Sequence, residues 1–449
     1  MKQNELSMKK ENNIPEVPLS KFLKHSANIL KNPLPFHHEN FEEKGDTFRL
    51  NIGIGKSVIF SRDAAFAEYV LQKNQKNYIK STIQTKDLAK YIGRGLLTSD
   101  GEHWRKQRKL IQPAFHKKQL AKLLGAIKQA ILEEIPKLKT DETFDVFPFF
   151  NDLAFQTVVK SLFSSAATQE EINRLQFITE SAQKMLVREL RQPYLGWWFK
   201  ISGKIEHYLK LTRESRQILQ KIVDERRRSD EKYDDLLDML LEARYDDGNS
   251  MDDEQLIDEI LVLFIAGHET TSNALSFISQ LLALNPEWQD KIFEETQNQA
   301  SEDLMAVVTN SPVTQQVIEE GMRLFPPAYF IDRVNIEDDE FNGKFFPAGS
   351  NLLFSIYEIH RHPDLWQRPD EFLPQRFSEN PKQYSSQYFP FGAGPRKCIG
   401  NNFAMFEMII AVQEIISKYT ILPVKDEIEI KPLITLKPKN ALLKFMNRT

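Results

Sequence analysis

Between Ser250 and Pro286 the sequence carries a start signal and a stop signal for one long helix. Ser250 followed by Asp253 has the spacing of a capping box, and Asn285 with Pro286 punctuates the other end. A helix over residues 251–284 would be about 50 Å long, enough to cross a domain, so the rest of the chain must be arranged around it. Most of the sequence up to about Asn310 shares the helical period, with residues 117–138 and 205–227 as long amphipathic examples. Alternation of the β kind is confined to residues 47–60, 333–337, 351–356 and 428–445, where Gly, Pro and Asn interrupt it. The expectation is a mainly α fold with small β-sheets assembled from distant segments. There is no strand and helix alternation of a Rossmann core and no phosphate loop of the Walker type.

At 449 residues, with 41% hydrophobic and 27% charged, the chain can bury a sizeable core as one large domain or two ordinary ones. We expect a polar tail or an ordered arm over residues 1–18 and a single domain over 19–449. The opening MKQNELSMKKENNIPEVPLS has no apolar run long enough for a signal peptide or membrane anchor, so the expectation is a soluble, cytoplasmic protein. A net charge of −4 offers no global basic field for nucleic acid. One cysteine excludes an intramolecular disulfide and a metal cage built from cysteines alone; it leaves Cys398 to act as a ligand or nucleophile.

Cys398 sits in FPFGAGPRKCIG, residues 389–400, among three glycines, two prolines and two cations. Gly392 and Gly394 can take backbone conformations closed to other residues, giving a tight turn whose amides point at one atom. The following IGNNFAMFEMIIAVQEII has helical apolar period, which places the sulfur just ahead of a helix N-terminus, where amides and dipole favour a thiolate. A glycine-rich loop around a buried cysteine is the plainer reading. The spacing decides against it. Phe391, Gly394, Cys398 and Gly400 fit Phe-x-x-Gly-x-x-x-Cys-x-Gly with Arg396 two residues before the cysteine, and this strongly resembles the haem-ligand loop of the cytochrome P450 family. The resemblance implies that the Cys398 thiolate is the proximal ligand of haem iron, that Phe391 shields the sulfur, and that Arg396 meets a haem propionate.

Three further stretches match the family. In the middle of the long helix Ala266, Gly267, His268, Glu269, Thr270 and Thr271 replace the surrounding leucines and isoleucines. Alone they could mark a kink or a hydrated face; they resemble the family's oxygen-binding groove, where Ala266 and Gly267 would let the haem lie against the helix, Thr270 would hydrogen-bond the bound dioxygen, and Glu269 would relay protons. Glu320 and Arg323 lie on one helix face and alone read as a solvated bridge. With Pro326-Pro327 and the later Pro374, Arg376 and Phe377, they resemble the family's buried structural triad of Glu320, Arg323 and Arg376, with Gln375 where the family often has Glu. Trp104 and Arg108, at i and i+4, are otherwise a core tryptophan and a solvated arginine; in the family such a pair binds a haem propionate, and Arg333 matches another propionate arginine. Arg105, Lys106 and Lys109, with Lys117 and Lys118 beyond and Lys397 beside the cysteine, are expected to form a positive patch for an acidic redox protein.

The resemblance runs from about Pro33 to Phe445 and implies the cytochrome P450 fold, a triangular helical body around a buried haem b (iron protoporphyrin IX). It implies a haem-thiolate monooxygenase: two externally supplied electrons and two protons cleave O2, and one oxygen atom is inserted into a C–H bond. The partners implied are a ferredoxin or flavodoxin with a NAD(P)H-dependent reductase, and neither nucleic acid nor membrane; a monomer is expected. A haem-thiolate sensor or electron carrier would need the loop but not Glu269 and Thr270. A peroxide-driven relative carries Arg-Pro in their place, which this chain does not. For substrate, Phe264, Tyr329, Phe330, Asp332 and Thr435 fall on segments that line the family's distal pocket, and Trp197 and Trp198 on its lid. Aromatics with an acid favour O-demethylation of a methoxylated polar substrate, a methyl sugar or methoxy aromatic; the alternative is hydroxylation of a fatty acid or terpenoid.

Overall fold

The computed structural model describes residues 13–53, 55–164, 167–192, 195–299, 301–378 and 384–448. They fall into two compact units, each built from sequence-distant segments: Met1–Ser81, Phe330–Pro369 and Ser385–Lys397 in the first, and Thr82–Tyr329, Asp370–Tyr384 and Cys398–Thr449 in the second.

The first unit is organised on a mixed sheet whose strands run in the order Glu16–Val17, Thr47–Gly53, Lys56–Ser61, Asn351–Ser355, Phe330–Asn335, Tyr78–Ile79. Thr47–Gly53 and Lys56–Ser61 form an antiparallel hairpin with Phe48 opposite Phe60, the two rings stacked at 5.3 Å between centroids. Phe36, Phe41 and Val17 complete that core. Val17 is fully buried on a strand parallel to Arg49–Leu50, so the end of the polar N-terminal segment, which the sequence allows to be either a tail or an ordered arm, is an arm. On the other sheet face Phe66 stacks on Phe346 and meets Phe354 edge-on, with Val70, Leu71 and Phe389 in the same cluster.

The second unit is helical. Asp253–Leu284 is a single helix of ~48 Å, buried along almost its whole length because it is apolar all round. Its N-cap is Asp252, whose carboxylate accepts from the Gln255 amide at 2.8 Å; the Ser250 start expected from the sequence lies outside the helix, since Asp252 offers a fixed acceptor in the extended backbone that a cap needs. Gly267 lets the helix Phe147–Phe163 approach: a Cβ there would lie 2.9 Å from a Val158 methyl. Gly321, on the helix Pro312–Leu324, does the same against Ile278 at 2.6 Å. Pro286 and Pro312 start their helices at positions where a missing N–H costs nothing. A three-stranded sheet, Tyr419–Pro423, Leu442–Asn447 and Thr143–Asp145, and the hairpin Ile430–Pro432 with Leu436–Pro438 close the unit.

Asp252→Ala leaves the first-turn amides without their side-chain acceptor and should lower unfolding stability by about 1 kcal/mol, measurable as a lower urea midpoint at unchanged m. Ser250→Ala should leave that midpoint in place.

Candidate functional site

The middle of the Asp253–Leu284 helix has two faces of different chemistry. Ala266 is exposed and Thr270, one turn on, is half-buried, although the helix around them is core. Thr270 donates its hydroxyl to the Ala266 carbonyl at 2.8 Å, a back-bond that parks the proton until a better acceptor arrives. Phe264, two residues before Ala266, is rotated about 200° away; it is fully buried against Phe155 and Phe163, at 5.8 and 5.7 Å, and does not line a pocket. Gly267 likewise serves helix packing against Val158 rather than a cofactor face. His268 is buried edge-on to Phe155, donates Nδ1–H to the Phe264 carbonyl at 2.5 Å, and is kept neutral by burial.

Glu269 is 7% exposed and its Oε1 accepts twice, from the Thr435 hydroxyl at 2.5 Å and from Lys437 Nζ at 3.1 Å. Thr435 in turn accepts from Asn273 Nδ2 at 3.1 Å. The hairpin that carries Thr435 and Lys437 is held by Tyr329, whose hydroxyl donates to the Leu433 carbonyl at 2.6 Å, and by the Leu436 amide on the Pro327 carbonyl at 2.9 Å. Lys437 and Asn273 were not singled out by the sequence: a lysine on a short strand carries no local mark of a partner 168 positions earlier.

Cys398 is exposed and lies two residues ahead of Gly400, the N-cap of the helix Asn401–Lys418. Trp104 is buried on the helix Gly101–Ile111, and Arg108 shares its face. Burial depresses the Arg108 pKa, and the nearby Cys398 opposes that shift, which puts the guanidinium within electrostatic reach of the sulfur. The segment leading to this helix is pinned by two carboxylates of the long helix: Asp258 accepts from the Arg94 amide at 2.5 Å and Glu259 from the Leu96 amide at 2.9 Å. These residues fit the haem that the sequence implies, with a thiol at a helix N-terminus and a small exposed side chain opening an otherwise buried helix face. Among the described residues no cluster of three or more His, Cys, Asp or Glu is placed to hold a metal ion, and no helix is long and apolar enough to cross a membrane.

Glu320, Arg323 and Arg376 meet in the same unit. Glu320 and Arg323 are fully buried and bidentate at 2.7 and 2.9 Å; Arg376 Nε reaches Glu320 at 3.1 Å. Arg323 also donates to the Glu371 carbonyl and Glu320 accepts from the Leu373 amide, so the triad fixes the backbone of residues 371–376.

In the first unit the loop before the cysteine turns at Gly392 (φ 70°) and Gly394 (φ 67°), and a Cβ on Gly394 would lie 2.0 Å from the Leu71 carbonyl oxygen, so only glycine fits there. Arg333 is buried and Arg396 and Phe391 are half-buried. Phe330 packs edge-on to His37 at 5.3 Å, and the Asp332 carbonyl accepts from Arg333 at 2.7 Å.

Two expected surfaces differ. Trp197 and Trp198 are 63% and 46% exposed and face solvent; Tyr194, in the same stretch, lies outside the described residues. Two cations of the expected positive patch are paired with acids: Arg105 with Glu102, and Lys109 with both Asp246 oxygens at 2.7 Å; Lys106 keeps its charge 4.0 Å over the Tyr245 ring. All six residues line a surface cleft of about 810 Å³ between Gly101–Ile111 and residues 239–247. Glu102 stands three residues before Arg105 on the same helix, whereas Asp246 and Tyr245 come from a loop far along the chain that the sequence could not place here.

One buried acid was also missed. Glu407, on the helix Asn401–Lys418, is fully buried and faces the hydroxyls of Thr157 and Thr271. Burial raises its pKa well above the usual range, more than those hydroxyls lower it. Thr157 has already given its proton to the Leu153 carbonyl at 2.9 Å, so it can only accept, and the neutral acid is the donor that suits it. A lone Glu in the apolar run FAMFEMII was the available signal.

A family model described as cytochrome P450 matches residues 13–445. Similar proteins include a cytokinin hydroxylase of Arabidopsis thaliana, 30% identical over 94% of this chain and 86% of that one. They also include a cyclooctat-9-en-7-ol 5-monooxygenase of Streptomyces melanosporofaciens, 28% identical over 91% and 88%, and a pentalenene oxygenase of Streptomyces avermitilis, 26% identical over 95% of each.

The Glu407 assignment has a pH signature. The folded protein keeps the proton over a range in which the unfolded chain releases it, so its contribution is full below the usual glutamate range and is lost as pH rises toward the folded value. Urea midpoints of Glu407→Gln should fall less steeply with rising pH than those of the parent. A constant difference between the two at every pH would mean that Glu407 is ionised in the fold.

Proposed function

Because the chain belongs to the cytochrome P450 family, and is a haem-thiolate monooxygenase with haem b as its cofactor, we propose that Cys398 ligates the haem iron and that the enzyme hydroxylates a C–H bond of a largely hydrocarbon substrate. The observation that carries the first half is the sulfur itself: the family binds its haem through a cysteine thiolate, and the one cysteine of this chain is exposed just ahead of a helix N-terminus. A helix N-terminus favours a thiolate over a thiol. When bound, the haem supplies the activation of O2 and the insertion of oxygen.

The remaining work belongs to side chains. Trp104, Arg108, Arg333 and Arg396 are our propionate partners, and Ala266 is the contact on the long helix. Thr270 can turn its hydroxyl from the Ala266 carbonyl toward a proton acceptor, and Glu269, one residue away, can exchange a proton with water and pass it on. Electrons come from a redox partner, for which a ferredoxin or flavodoxin with a NAD(P)H-dependent reductase is our reading; the pairing of Arg105 and Lys109 with acids weakens the case for the Gly101–Ile111 face as its docking site.

The substrate reading rests on side chains that are engaged elsewhere. The Tyr329 hydroxyl is spent on Leu433 and that of Thr435 on Glu269; Phe264 is core, and Trp197 and Trp198 face solvent. These placements give no support to stacking or hydrogen bonding of a methoxy sugar or methoxy aromatic. The names of two bacterial relatives denote an alkene, pentalenene, and an alkenol, cyclooctat-9-en-7-ol. Hydroxylation of a terpenoid or fatty skeleton is therefore the reading we adopt over O-demethylation.

Cys398→Ser should retain the fold and lose the red-shifted carbon monoxide band of a thiolate haem; survival of that band would reassign the ligand. For substrate, a panel of cyclic alkenes, fatty acids and methoxylated aromatics should be titrated against the ferric protein while following the spin-state change caused by water loss. Saturable shifts are expected from the hydrocarbons, and shifts confined to the methoxylated compounds would restore O-demethylation.

A further inference from the structure

The group of Glu269, Asn273, Thr435 and Lys437 has a fixed direction. Asn273 Nδ2 donates to Thr435 Oγ1 at 3.1 Å, so the single hydroxyl proton of Thr435 goes to Glu269 Oε1 at 2.5 Å. Lys437 Nζ adds a second, charged donor to the same oxygen at 3.1 Å. His268, although adjacent in sequence, is neutral and donates elsewhere, so the cation beside Glu269 is supplied by the hairpin. An oxygen that accepts from two donors is a poor place for a proton. Any proton that Glu269 takes up or gives away therefore uses Oε2.

We propose that Lys437 and Thr435 are positioning residues that commit Glu269 Oε1 as a double acceptor, leave Oε2 as the oxygen that exchanges protons with Thr270, and so link the Ile430–Pro438 hairpin to proton delivery. This rests on the reading of Glu269 as the proton relay. The hairpin is the part of the unit that also binds Tyr329 through Leu433 and Pro327 through Leu436. Its turn, residues 433–435, was expected to line the substrate side, and a substrate that shifts Thr435 changes which oxygen of Glu269 is engaged. Lys437 itself is anchored beside Phe147, with Nζ 5.4 Å from the ring centroid, and is 23% exposed, so it is held in place rather than swinging in solvent.

The experiment compares Lys437→Met, Lys437→Arg, Thr435→Val and Glu269→Gln in the haem-loaded enzyme under a fixed external electron supply. Lys437→Met should raise the fraction of electrons lost as hydrogen peroxide several-fold and enlarge the solvent isotope effect on turnover. Its midpoint for the substrate-induced spin shift should stay at the parent value. Lys437→Arg should restore both quantities, because a guanidinium supplies the same charged donor; a merely structural lysine would move neither the isotope effect nor the peroxide fraction. Thr435→Val should act in the direction of Lys437→Met. A double-mutant cycle on urea midpoints, Lys437→Met with Glu269→Gln, gives a readout independent of turnover and should show that the two changes are not additive. If Glu269→Gln uncouples the enzyme and Lys437→Met does not, or if the cycle is additive, the positioning role is wrong and the relay stands. If Glu269→Gln leaves peroxide and isotope effect unchanged, the relay reading falls and takes this inference with it.

Discussion

A helix buried on every side must find a partner for each polar group it carries, because an unpaired buried donor or acceptor costs about 1–3 kcal/mol. Asp253–Leu284 carries many such groups; Ser272, Ser276 and Gln280 donate to the helix's own carbonyls, and its acids are answered from other parts of the unit. Asp258 and Glu259 take the amides of Arg94 and Leu96, Glu269 takes Thr435 and Lys437, and Thr271 faces the buried acid Glu407. The functional geometry follows from that requirement. The segment leading to Trp104 is held because the helix needs amide donors, and the terminal hairpin is held because Glu269 needs a cation.

The contrast between local and distant partners explains what the sequence could and could not tell. The loop around Cys398 was legible because much of its constraint is local: Gly392 and Gly394 have positive φ, and the helix that follows is visible as apolar period; the close approach of Leu71 to Gly394 was not. The ends of the long helix were legible to within two residues, and the cap was misplaced only because Ser250 and Asp252 are both good caps. Glu320 and Arg323 read by spacing alone as a solvated bridge, and only the resemblance to the family marked them, with Arg376, as a buried triad. What failed was phase and pairing. Gly267 and Phe264 sit in a motif with a family role, yet a residue's direction on a helix depends on which neighbour packs where, and Val158 and Phe155 lie about a hundred residues away.

The same limit governed charge. Lys106 and Lys109 looked like a cationic stripe because a sequence shows charges in chain order, and Tyr245 and Asp246 enter from beyond six intervening α-helices. Conversely, the buried acid Glu407 looked like an ordinary member of a helical run. Whether an ionisable side chain is a surface charge or a buried donor is decided by desolvation and by partners, and both are properties of the fold.

The pairing of charges on the Gly101–Ile111 face has one more consequence. Isolated charges of one sign set up a field that falls slowly with distance, whereas Arg105 with Glu102 and Lys109 with Asp246 form compact dipoles whose fields decay faster and are gone within a Debye length, about 10 Å at 0.1 M salt. Those two pairs draw nothing in from afar, and what reach the face has comes from Lys106, seated over the Tyr245 ring.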